Sequence, residues 1–510
     1  MTLGLAAIGV LALAAVLYGA LVPGRWRGWA VLLGSVVALY ALQAPLAPRF
    51  ADFLLPSATI ALAVAGWWLS RPPRRAFLAP ANRDQVDAPP DAPPGEIPVS
   101  RVYVRDDWLT LLVVAALILL LSLFRFVDPA YQLTASRPPS PLFVAVTIVE
   151  AGLLFAALAL ILRRLPQRHV LTGAILFIVA LFVALKWPPA TAALAGLWRG
   201  WTGQDVTLAA PSDLAWLGFS YVAFRLIHTL RDRQTGLLPE LSLRAYLSYV
   251  LFAPAIVAGP IDRAERFAGD YAALPHLRGL DPGRWAAGLW RIGEGLFKKF
   301  VIADLLAQGL SLTPALAAQT ESAVALWLLL FGYGLRLYFD FGGYSDIAIG
   351  LGILFGIRLP ENFDRPYTRT SLTAFWQSWH MTLSNWARFY VFTPLSRGLL
   401  RRKRRPSSTV IVLLSHLSTM AVIGLWHGIT WNFLIWGLWH AAGLFAHKVW
   451  SDRTRKWYRG LQARPGARRA WALAGWALTF VYVMLGWVWF LLPTPGLAVA
   501  TLGRLIGVGG

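Results

Sequence analysis

The chain has 510 residues, of which 57% are hydrophobic and only 14% are charged. Because soluble domains carry about 25% charged residues, this composition excludes an ordinary soluble protein and indicates a lipid bilayer. The formal net charge of +22 does not indicate nucleic acid binding, since Arg and Lys cluster at the ends of apolar segments, where they set membrane topology. The absence of cysteine from the sequence excludes disulfides, thiolate metal sites and a cysteine acyl-enzyme.

Six apolar runs have about the 20-residue length that crosses a bilayer as a helix. They lie at residues 3–22, 29–46, 53–70, 108–127, 141–162 and 470–492. With the N-terminus outside, this order places Arg25, Arg27 and the arginines of 71–75 and 163–168 in the cytoplasm. The predicted topology is therefore self-consistent.

Two stretches between the predicted spans have a different composition. Residues 72–107 are rich in proline, carry acidic side chains and show little apolar periodicity, so we predict a flexible cytoplasmic loop. Residues 186–212 combine KWPP with a short Ala/Leu/Trp run. This pattern indicates an extracytoplasmic loop or a helix lying in the membrane interface.

The next apolar segments carry features that a simple span lacks. LGFSYVAFRLIHTLRD from Leu217 places Arg225 and His228 on neighbouring helix positions, either paired near the cytoplasmic end or part of a site. FAPAIVAGPIDRAERF from Phe252 has prolines and a glycine inside an apolar run, which predicts a bent or broken helix. GEGLFKKFVIAD from Gly293 alternates charges with bulky apolar residues, which predicts an amphipathic helix at the cytoplasmic interface.

Between residues 338 and 439 the apolar sequence is crowded with polar groups. The motifs are YFDFGGYSDIAIG from Tyr338, PENFDRPY from Pro360, FWQSWHMTLSNW from Phe375 and GLWHGITWN from Gly424. Two of the chain's eight histidines, His380 and His427, lie in these motifs. Because buried polar groups cost free energy in hydrocarbon, their concentration predicts a protein-lined cavity.

His427 is predicted at the tip of a helical hairpin. From Ser407, just after the basic run 401–405, the 20 residues to His427 would span about 30 Å as a helix, roughly one hydrocarbon thickness. The chain then returns to a second basic segment beyond Val449. Positive charge at both ends places the tip away from the cytoplasm, or nearer the middle of the membrane if the hairpin is tilted or re-entrant.

Other polar residues of this region have structural and functional interpretations side by side. Asp340 and Asp346 flank a predicted Gly-Gly turn, where they either hold the chamber together through hydrogen bonds to backbone, tryptophan or arginine, or act as acid or base. His416 lies about three helical turns before His427 on the same face, which fits support of the site or a purely structural role. His440 and His447 are in phase with each other and are interpreted as structural or interfacial.

These motifs, in this order, closely resemble the membrane-bound O-acyltransferases, specifically the bacterial branch that includes the alginate O-acetylation protein and the D-alanyl transferase of teichoic acid modification. The resemblance begins weakly near Trp216 and runs to about Phe490. It departs from the family pattern at 377–378, where basic residues are often found, and near Phe389, where an acidic residue is common. Residues 396–398 replace a Gly-Asn-Arg type sequence.

The resemblance implies an all-α polytopic membrane protein with roughly 11–13 transmembrane or re-entrant helices around a central chamber or tunnel. It also implies a multi-pass O-acyltransferase of the bacterial inner membrane. The acyl group, most simply acetyl, would pass from a cytoplasmic donor such as acetyl-CoA or an acyl carrier to hydroxyls of an extracytoplasmic polysaccharide, as in alginate biosynthesis. The expected partners are membrane lipid and periplasmic or membrane acetylation proteins, with no metal, no tightly bound cofactor and no nucleic acid.

Within this interpretation His427 is the base that removes the proton of the acceptor hydroxyl, since neutral histidine suits that role near neutral pH. His380 orients the acceptor or stabilises the developing oxyanion. The residues expected to support the chamber are Asp340, Asp346, Tyr344, Ser345, Trp376, Trp379, Trp426, Asn432 and His416. A direct transfer without an acyl-enzyme is the simplest scheme, although a serine or histidine intermediate stays open.

Competing chemistries find little support in the sequence. It has no HExxH zinc motif, no GxxxxGK phosphate loop and no DxD pair, and residues 343–347 fail the GxSxG pattern at the last position. Two alternatives stay open. D-alanyl transfer to teichoic acid would require a carrier-protein partner, whereas a polysaccharide or lipid transporter would require a continuous polar route and would survive loss of either histidine.

These observations divide the chain into five predicted segments. They are N-terminal transmembrane helices at 1–71, the Pro-rich loop at 72–107, further transmembrane helices at 108–213, the catalytic core at 214–492 and a C-terminal segment at 493–510.

Overall fold

The computed structural model of the chain describes residues 4–71 and 104–508, and its secondary structure there is helical, without strands. The predicted loop at 72–107 lies outside the described residues except for 104–107, which are helical and begin α4 instead. The first helices are α1 (Leu5–Leu21), α2 (Arg27–Ala41), α3 (Ala51–Leu69), α4 (Val104–Ser122), α5 (Pro141–Leu162), α6 (Gln167–Lys186), α7 (Pro188–Trp201), α8 (Phe219–Thr235), α9 (Leu243–Leu251), α10 (Ala253–Ile256) and α11 (Ala264–Ala273).

The remaining helices build the second half of the chain. They are α12 (Pro282–Leu296), α13 (Asp304–Ala307), α14 (Pro314–Gln319), α15 (Ala323–Phe355), α16 (Leu372–Trp376), α17 (Met381–Ala387), α18 (Thr393–Leu400), α19 (Ser408–His427), α20 (Trp431–Arg453), α21 (Arg455–Gln462), α22 (Pro465–Leu491) and α23 (Pro495–Leu505). A π-helical segment, Phe297–Ala303, joins α12 to α13, and a second one, Arg388–Phe392, joins α17 to α18.

The predicted all-α membrane architecture is confirmed. Within the described residues, seven helices are long and apolar enough to cross a bilayer, namely α3, α4, α5, α6, α15, α19 and α22. All six predicted apolar runs form helices, and α5 coincides with its predicted run at 141–162. The sequence analysis did not separate α6 as a span, because its apolar stretch is short and has Arg168 and His169 at one end and Lys186 at the other.

Helix ends that are predicted to lie on the same side of the membrane contact each other. At one side, Gln167 Nε2 donates to the carbonyl of Arg71 at 3.1 Å, and Gln234 Nε2 donates to Thr172 Oγ1 at 2.9 Å. These are ends predicted to be cytoplasmic. At the predicted outer side, Gln204 Nε2 donates to the carbonyl of Ala47 at 3.0 Å. The stretch predicted as a loop or interfacial helix there contains α7.

The broken helix predicted near Phe252 is confirmed. Helix α9 ends at Leu251, the single turn α10 follows, and an irregular stretch leads to α11. Arg225 of α8 is 1% exposed and ties both sides of the break, since its guanidinium donates to the carbonyls of Val250 at 2.7 Å and Ala255 at 3.0 Å. A buried cation thus satisfies carbonyls that a continuous helix would have paired.

The predicted Gly-Gly turn between Asp340 and Asp346 is wrong. Both glycines lie inside α15, which is continuous over 33 residues. They are needed for close packing instead. A Cβ atom on Gly343 would lie 2.7 Å from the carbonyl oxygen of Gly295 in α12, so only glycine lets these two backbones touch.

The amphipathic segment predicted from Gly293 is helical, but its charged face points towards protein. Apolar side chains such as Phe297 and Val301 are the exposed ones, at 56% and 42%. The two lysines of this segment pair with carboxylates of α15, as described below. The apolar face is therefore the one available to lipid.

Helices α19 and α20 form the predicted hairpin with its tip at 427–431. A Cβ atom on Gly437 would lie 2.3 Å from the carbonyl oxygen of Met420, which shows how closely the two backbones approach. The tip is anchored to the end of α22, because Asn432 Nδ2 donates to the carbonyl of Leu492 at 2.6 Å. The basic start of α22 lies at the opposite end of that helix from the tip.

Candidate active site

A cavity of about 230 Å³ lies between α8, the broken-helix segment, α15, the loop before α17 and the tip of α19. It brings together residues that are separated by more than 200 positions in the sequence. Its lining residues are Tyr221, Ala258, Leu337, Asp340, Phe341, Tyr344, His380, Trp426 and His427. Both histidines predicted to be catalytic therefore border one cavity.

His427 is the last residue of α19, and Gly428 follows it with extended backbone. Aromatic rings hold the imidazole from several sides, with Trp426 at 4.7 Å, Phe490 at 4.8 Å and Trp436 at 5.4 Å between ring centroids. Neither ring nitrogen has a hydrogen-bond partner within the part of the chain that the structure describes. Packing alone therefore orients this side chain and leaves its nitrogens free for a substrate.

His380 directly precedes α17 and has left-handed backbone, with φ of 42°. This conformation is uncommon for a residue with a Cβ atom, and such residues concentrate at functional sites. Its ring packs edge-on against Phe341 at 4.7 Å, and its Nδ1 lies 3.0 Å from Asn362 Oδ1. Burial lowers the pKa of His380 to about 3, so the imidazole is neutral at physiological pH.

The partner of His380, Asn362, was not predicted as a site residue. It is fully buried, and its Nδ2 donates to Ser345 Oγ at 3.2 Å. Its Oδ1 also accepts from the backbone N–H of Thr382 at 3.3 Å and from Thr382 Oγ1 at 2.8 Å. The sequence did contain one signal for Asn362. It is an amide side chain inside the motif PENFDRPY, next to an apolar span, where no turn requires an asparagine.

The two predicted carboxylates have different positions. Asp340 lines the cavity and is paired with Lys299, which is 5% exposed. Asp346 does not line it, and its carboxylate binds Arg291 and Lys298 at 2.7 Å each. Pairing of these carboxylates with arginine was one of the predicted possibilities, whereas pairing with Lys298 and Lys299 was not predicted. Both lysines lie in the π-helical segment 297–303, a distortion that is frequent at functional sites.

Two further predicted supporting residues, Tyr344 and Trp426, line the cavity, and Ser345 lies next to Tyr344 in α15. The hydroxyl of Tyr344 accepts from the N–H of Ala258 at 3.2 Å, which ties α15 to the broken helix. Ser345 accepts from Asn362, as described above. Trp426 stacks on Phe224 at 5.3 Å between centroids and meets the edge of Tyr221 at 5.7 Å.

Four more predicted supporting residues, like Ser345 and Asp346, lie outside the cavity lining. Trp379 stacks on Phe375 at 5.6 Å, and Trp376 meets the edge of His440 at 5.2 Å. Asn432 anchors the hairpin tip to α22, and His416 packs against Phe392 at 5.3 Å. The shared face of His416 and His427 on α19 therefore does not bring His416 to the cavity.

His440 and His447 were interpreted as structural or interfacial. The position of His440 fits a structural role, and that of His447 fits an interfacial one. His440 is fully buried among Trp376, Trp436 and Trp487, and its Nδ1 accepts from Trp376 Nε1 at 3.4 Å. His447 lies near the end of α20, where its Nδ1 is 2.9 Å from Thr373 Oγ1. Neither lines the cavity.

His228 and Arg225 do not reach the cavity lining either. His228 lies 3.3 Å from Asp232 and 3.8 Å from Glu265, and its Nε2 accepts from the N–H of Ala264 at 3.0 Å. His228, Asp232 and Glu265 lie close enough together to hold a metal ion. Arg263 already pairs with both carboxylates, however, so their charge is balanced by protein. The arrangement supports the paired, structural interpretation of His228.

The geometry of the cavity suits transfer of a group to a hydroxyl. It offers an imidazole with free nitrogens, a second imidazole held by an amide, and a lining in which aromatic rings predominate. Neutral imidazole can accept a proton from an attacking hydroxyl near neutral pH. Fold and site together define a multi-pass membrane protein with a histidine-lined interior cavity.

Comparison with known proteins identifies the family. Residues 119–490 match the MBOAT, membrane-bound O-acyltransferase, family, and the chain belongs to it. The family name denotes membrane-bound enzymes that transfer acyl groups to oxygen. The match ends at the predicted position but begins well before Trp216, so it includes α5 to α7, whose apolar sequences carry no motif that the sequence analysis could use.

Three similar proteins illustrate the range of the family. The teichoic acid D-alanyltransferase of Streptococcus thermophilus is 34% identical over 288 residues, which are 55% of this chain and 69% of that protein. The probable alginate O-acetylase of Azotobacter vinelandii is 35% identical over 278 residues, 54% of this chain and 50% of that protein. The peptidoglycan O-acetyltransferase of Helicobacter pylori is 33% identical over 272 residues, 53% and 48% of the two chains. The alignment thus spans about half the length of the latter two proteins.

Proposed function

We propose that the protein transfers an acetyl group from a cytoplasmic thioester donor to hydroxyls of an extracytoplasmic polysaccharide, with His427 as general base. The single observation that carries this proposal is the imidazole of His427, which borders an interior cavity and has no protein partner for either nitrogen within the described residues. Similarity to proteins named for O-acetylation of alginate and of peptidoglycan supports acetyl as the group and a polysaccharide as the acceptor.

The proposed step is a direct acyl transfer. The acceptor oxygen attacks the carbonyl carbon of the donor while His427 takes the hydroxyl proton. The tetrahedral intermediate then collapses, so the new C–O ester bond remains, the C–S bond breaks, and the proton passes from His427 to the leaving thiolate. No acyl-enzyme is required, because donor and acceptor meet in one cavity.

The two substrates are proposed to arrive from opposite sides of the bacterial inner membrane. The basic run 401–405 and the basic residues after α20 lie at one end of the hairpin, and His427 lies at the other. Since positive charge faces the cytoplasm, the donor, acetyl-CoA or an acyl carrier, would approach from the basic end. The acceptor would approach from the tip side, with periplasmic or membrane acetylation proteins as partners.

D-alanyl transfer to teichoic acid is the second candidate, because the Streptococcus thermophilus D-alanyltransferase is aligned over a larger share of its length than the acetylases are. The chemistry at His427 would be the same, with a D-alanyl thioester on a carrier protein as donor. The two candidates differ only in donor and acceptor, so one assay can separate them.

The test uses sealed vesicles of known orientation that contain the protein. Labelled acetyl-CoA is supplied at the cytoplasmic face and deacetylated alginate at the other face, and vesicles without the protein are the control. We expect labelled O-acetyl esters on the alginate. A parallel reaction supplies D-alanyl carrier protein and teichoic acid in place of these substrates, and transfer in that reaction alone would select the second candidate. Transfer only between substrates on the same face would contradict the two-sided mechanism.

A further inference from the structure

The amide of Asn362 has only one orientation that satisfies its neighbours. The backbone N–H of Thr382, 3.3 Å away, can only donate, so the Asn362 atom that faces it must be the oxygen. Thr382 Oγ1 accepts from the N–H of Ile261 at 3.1 Å and therefore has its own proton free for Asn362 Oδ1. On the other side, Asn362 Nδ2 donates to Ser345 Oγ. Every polar atom of this buried amide is thus assigned.

The orientation of Asn362 determines which nitrogen of His380 carries the proton. Nδ1 of His380 lies 3.0 Å from the Asn362 oxygen, which only accepts, so Nδ1 must be the protonated nitrogen. In a neutral ring, Nε2 is then a bare lone pair. This Nε2 is buried and has no partner within the described residues. A buried acceptor without a partner is unfavourable, and a bound donor would remove that cost.

We infer that Asn362 is a positioning residue of the acyl transfer, which fixes His380 as the Nδ1–H tautomer so that its Nε2 accepts a hydrogen bond from the acceptor hydroxyl. This inference rests on the proposed function and decides between the two roles left open for His380. A bare Nε2 orients the hydroxyl, and it has no proton to donate to an oxyanion. Stabilisation of the oxyanion then falls to other groups of the cavity.

Among the groups around His380, Asn362 is the one that determines its protonation state. The titratable groups that line the cavity with it are Asp340 and Tyr344 from α15, Tyr221 from α8 and His427 from α19. The charge of Asp340 is balanced by Lys299. The rings in contact with His380, those of Phe341, Phe363 and Trp426, carry no charge. A charge placed at residue 362 would therefore act on His380 without competition from a nearer one.

The first test reads the tautomer and needs no transfer activity. Protein labelled with ¹⁵N-histidine gives separate signals for protonated and bare ring nitrogens, and the spectrum of His380→Gln identifies those of His380. We expect a protonated Nδ1 and a bare Nε2 at neutral pH, and appearance of the Nε2–H form in Asn362→Leu. An Nε2–H form in the unmodified protein would overturn the inference, whatever reaction the protein catalyses.

The second test is the pH dependence of transfer. Asn362→Asp keeps an acceptor for Nδ1–H but adds a negative charge, which raises the pKa of His380 by about 1–3 units. Protonated His380 cannot accept a hydrogen bond from the hydroxyl. As the pH is lowered, Asn362→Asp should therefore lose activity at a higher pH than the unmodified protein does. Asn362→Leu should lower kcat about 10–100-fold. The control Asn385→Asp adds the same charge on the exposed surface of α17 and should keep the original profile.

The outcomes separate this inference from the proposed function. An unmodified protein that transfers no acyl group, with the expected tautomer in its spectrum, would remove the proposed function alone. Active protein in which Asn362→Asp leaves the pH profile unchanged, or shifts the loss of activity to lower pH, would remove the positioning role. If Asn362→Leu fails to accumulate, the Asn362→Asp variant still decides the question.

Discussion

Two pairs of consecutive helices, α5–α6 and α19–α20, differ in how much of their surface the rest of the protein covers. Helices α5 and α6 have only 11% of their apolar window buried by protein, against 33% for α19. Gly152 of α5 has no atom within 4 Å of a Cβ placed on it, whereas Gly424 and Gly437 bring the backbones of α19 and α20 into contact. The first pair leaves most of its apolar surface uncovered by protein, and the second is joined by close backbone contacts.

The comparison shows where position matters in a membrane protein. Lipid accepts any apolar side chain at any point of α5, so this pair tolerates substitution but supplies no chemistry. In the α19–α20 hairpin, close backbone contact holds His427 beside the cavity with polar groups that hydrocarbon alone would not tolerate. The following predictions test that contrast, beginning with the largest expected effect.

Substitution of the two kinds of glycine should give opposite results. In Gly437→Val the new Cβ meets the carbonyl of Met420 at 2.3 Å, so the backbones must separate, at a cost of about 3 kcal/mol. Gly152→Val adds an apolar group in open space and should change stability by less than about 0.5 kcal/mol. Thermal unfolding of both purified variants measures the difference. Equal stability of the two would show that the hairpin contact is not required.

The ion pair between Asp340 and Lys299 should matter less, but measurably. Asp340→Asn leaves the buried Lys299 without its counter-charge, and breaking a buried pair costs about 3–5 kcal/mol. Because the Asp340 side chain is 43% exposed, we expect about 2 kcal/mol. The double variant with Lys299→Met removes the unpaired charge and should recover part of the loss. A double variant that is as unstable as the sum of the two single variants would argue against the pair.

The smallest effect is expected from single cysteines placed at the two ends of the spans. Lys403→Cys and Val206→Cys lie in exposed segments predicted on opposite sides of the membrane, and the chain has no cysteine of its own. Both variants should keep full activity. An impermeant thiol reagent added outside intact cells should label residue 206 and not residue 403. The reverse pattern would invert the topology and with it the assigned donor side.

Features set by local composition were accessible from the sequence. The apolar run at 141–162 predicted α5, and the 20 residues from Ser407 to His427 predicted α19 and its tip. Prolines after Phe252 predicted the break at α9. In each case the property responsible, apolar length or a missing N–H donor, belongs to the segment itself.

Features set by contacts between distant segments were not accessible. The pairing of Asp340 with Lys299 depends on the contact between α12 and α15 and on a π-helical segment that no local signal marks. The Gly-Gly pair was predicted as a turn because glycine has the same local signature in a turn and in a close helix contact. Asn362 became recognisable only when the structure placed it against His380, 18 positions away in the sequence.

The central claim, that His427 is the base of an acyl transfer in this cavity, is tested most directly by the transfer rate of His427→Ala per mole of folded protein. The matched control is His447→Ala, on the other arm of the same hairpin and outside the cavity. We predict that His427→Ala lowers the rate by at least about 100-fold, with normal accumulation in the membrane, and that His447→Ala retains the rate of the unmodified protein. A His427→Ala variant that transfers acetyl groups as fast as the control would contradict the account.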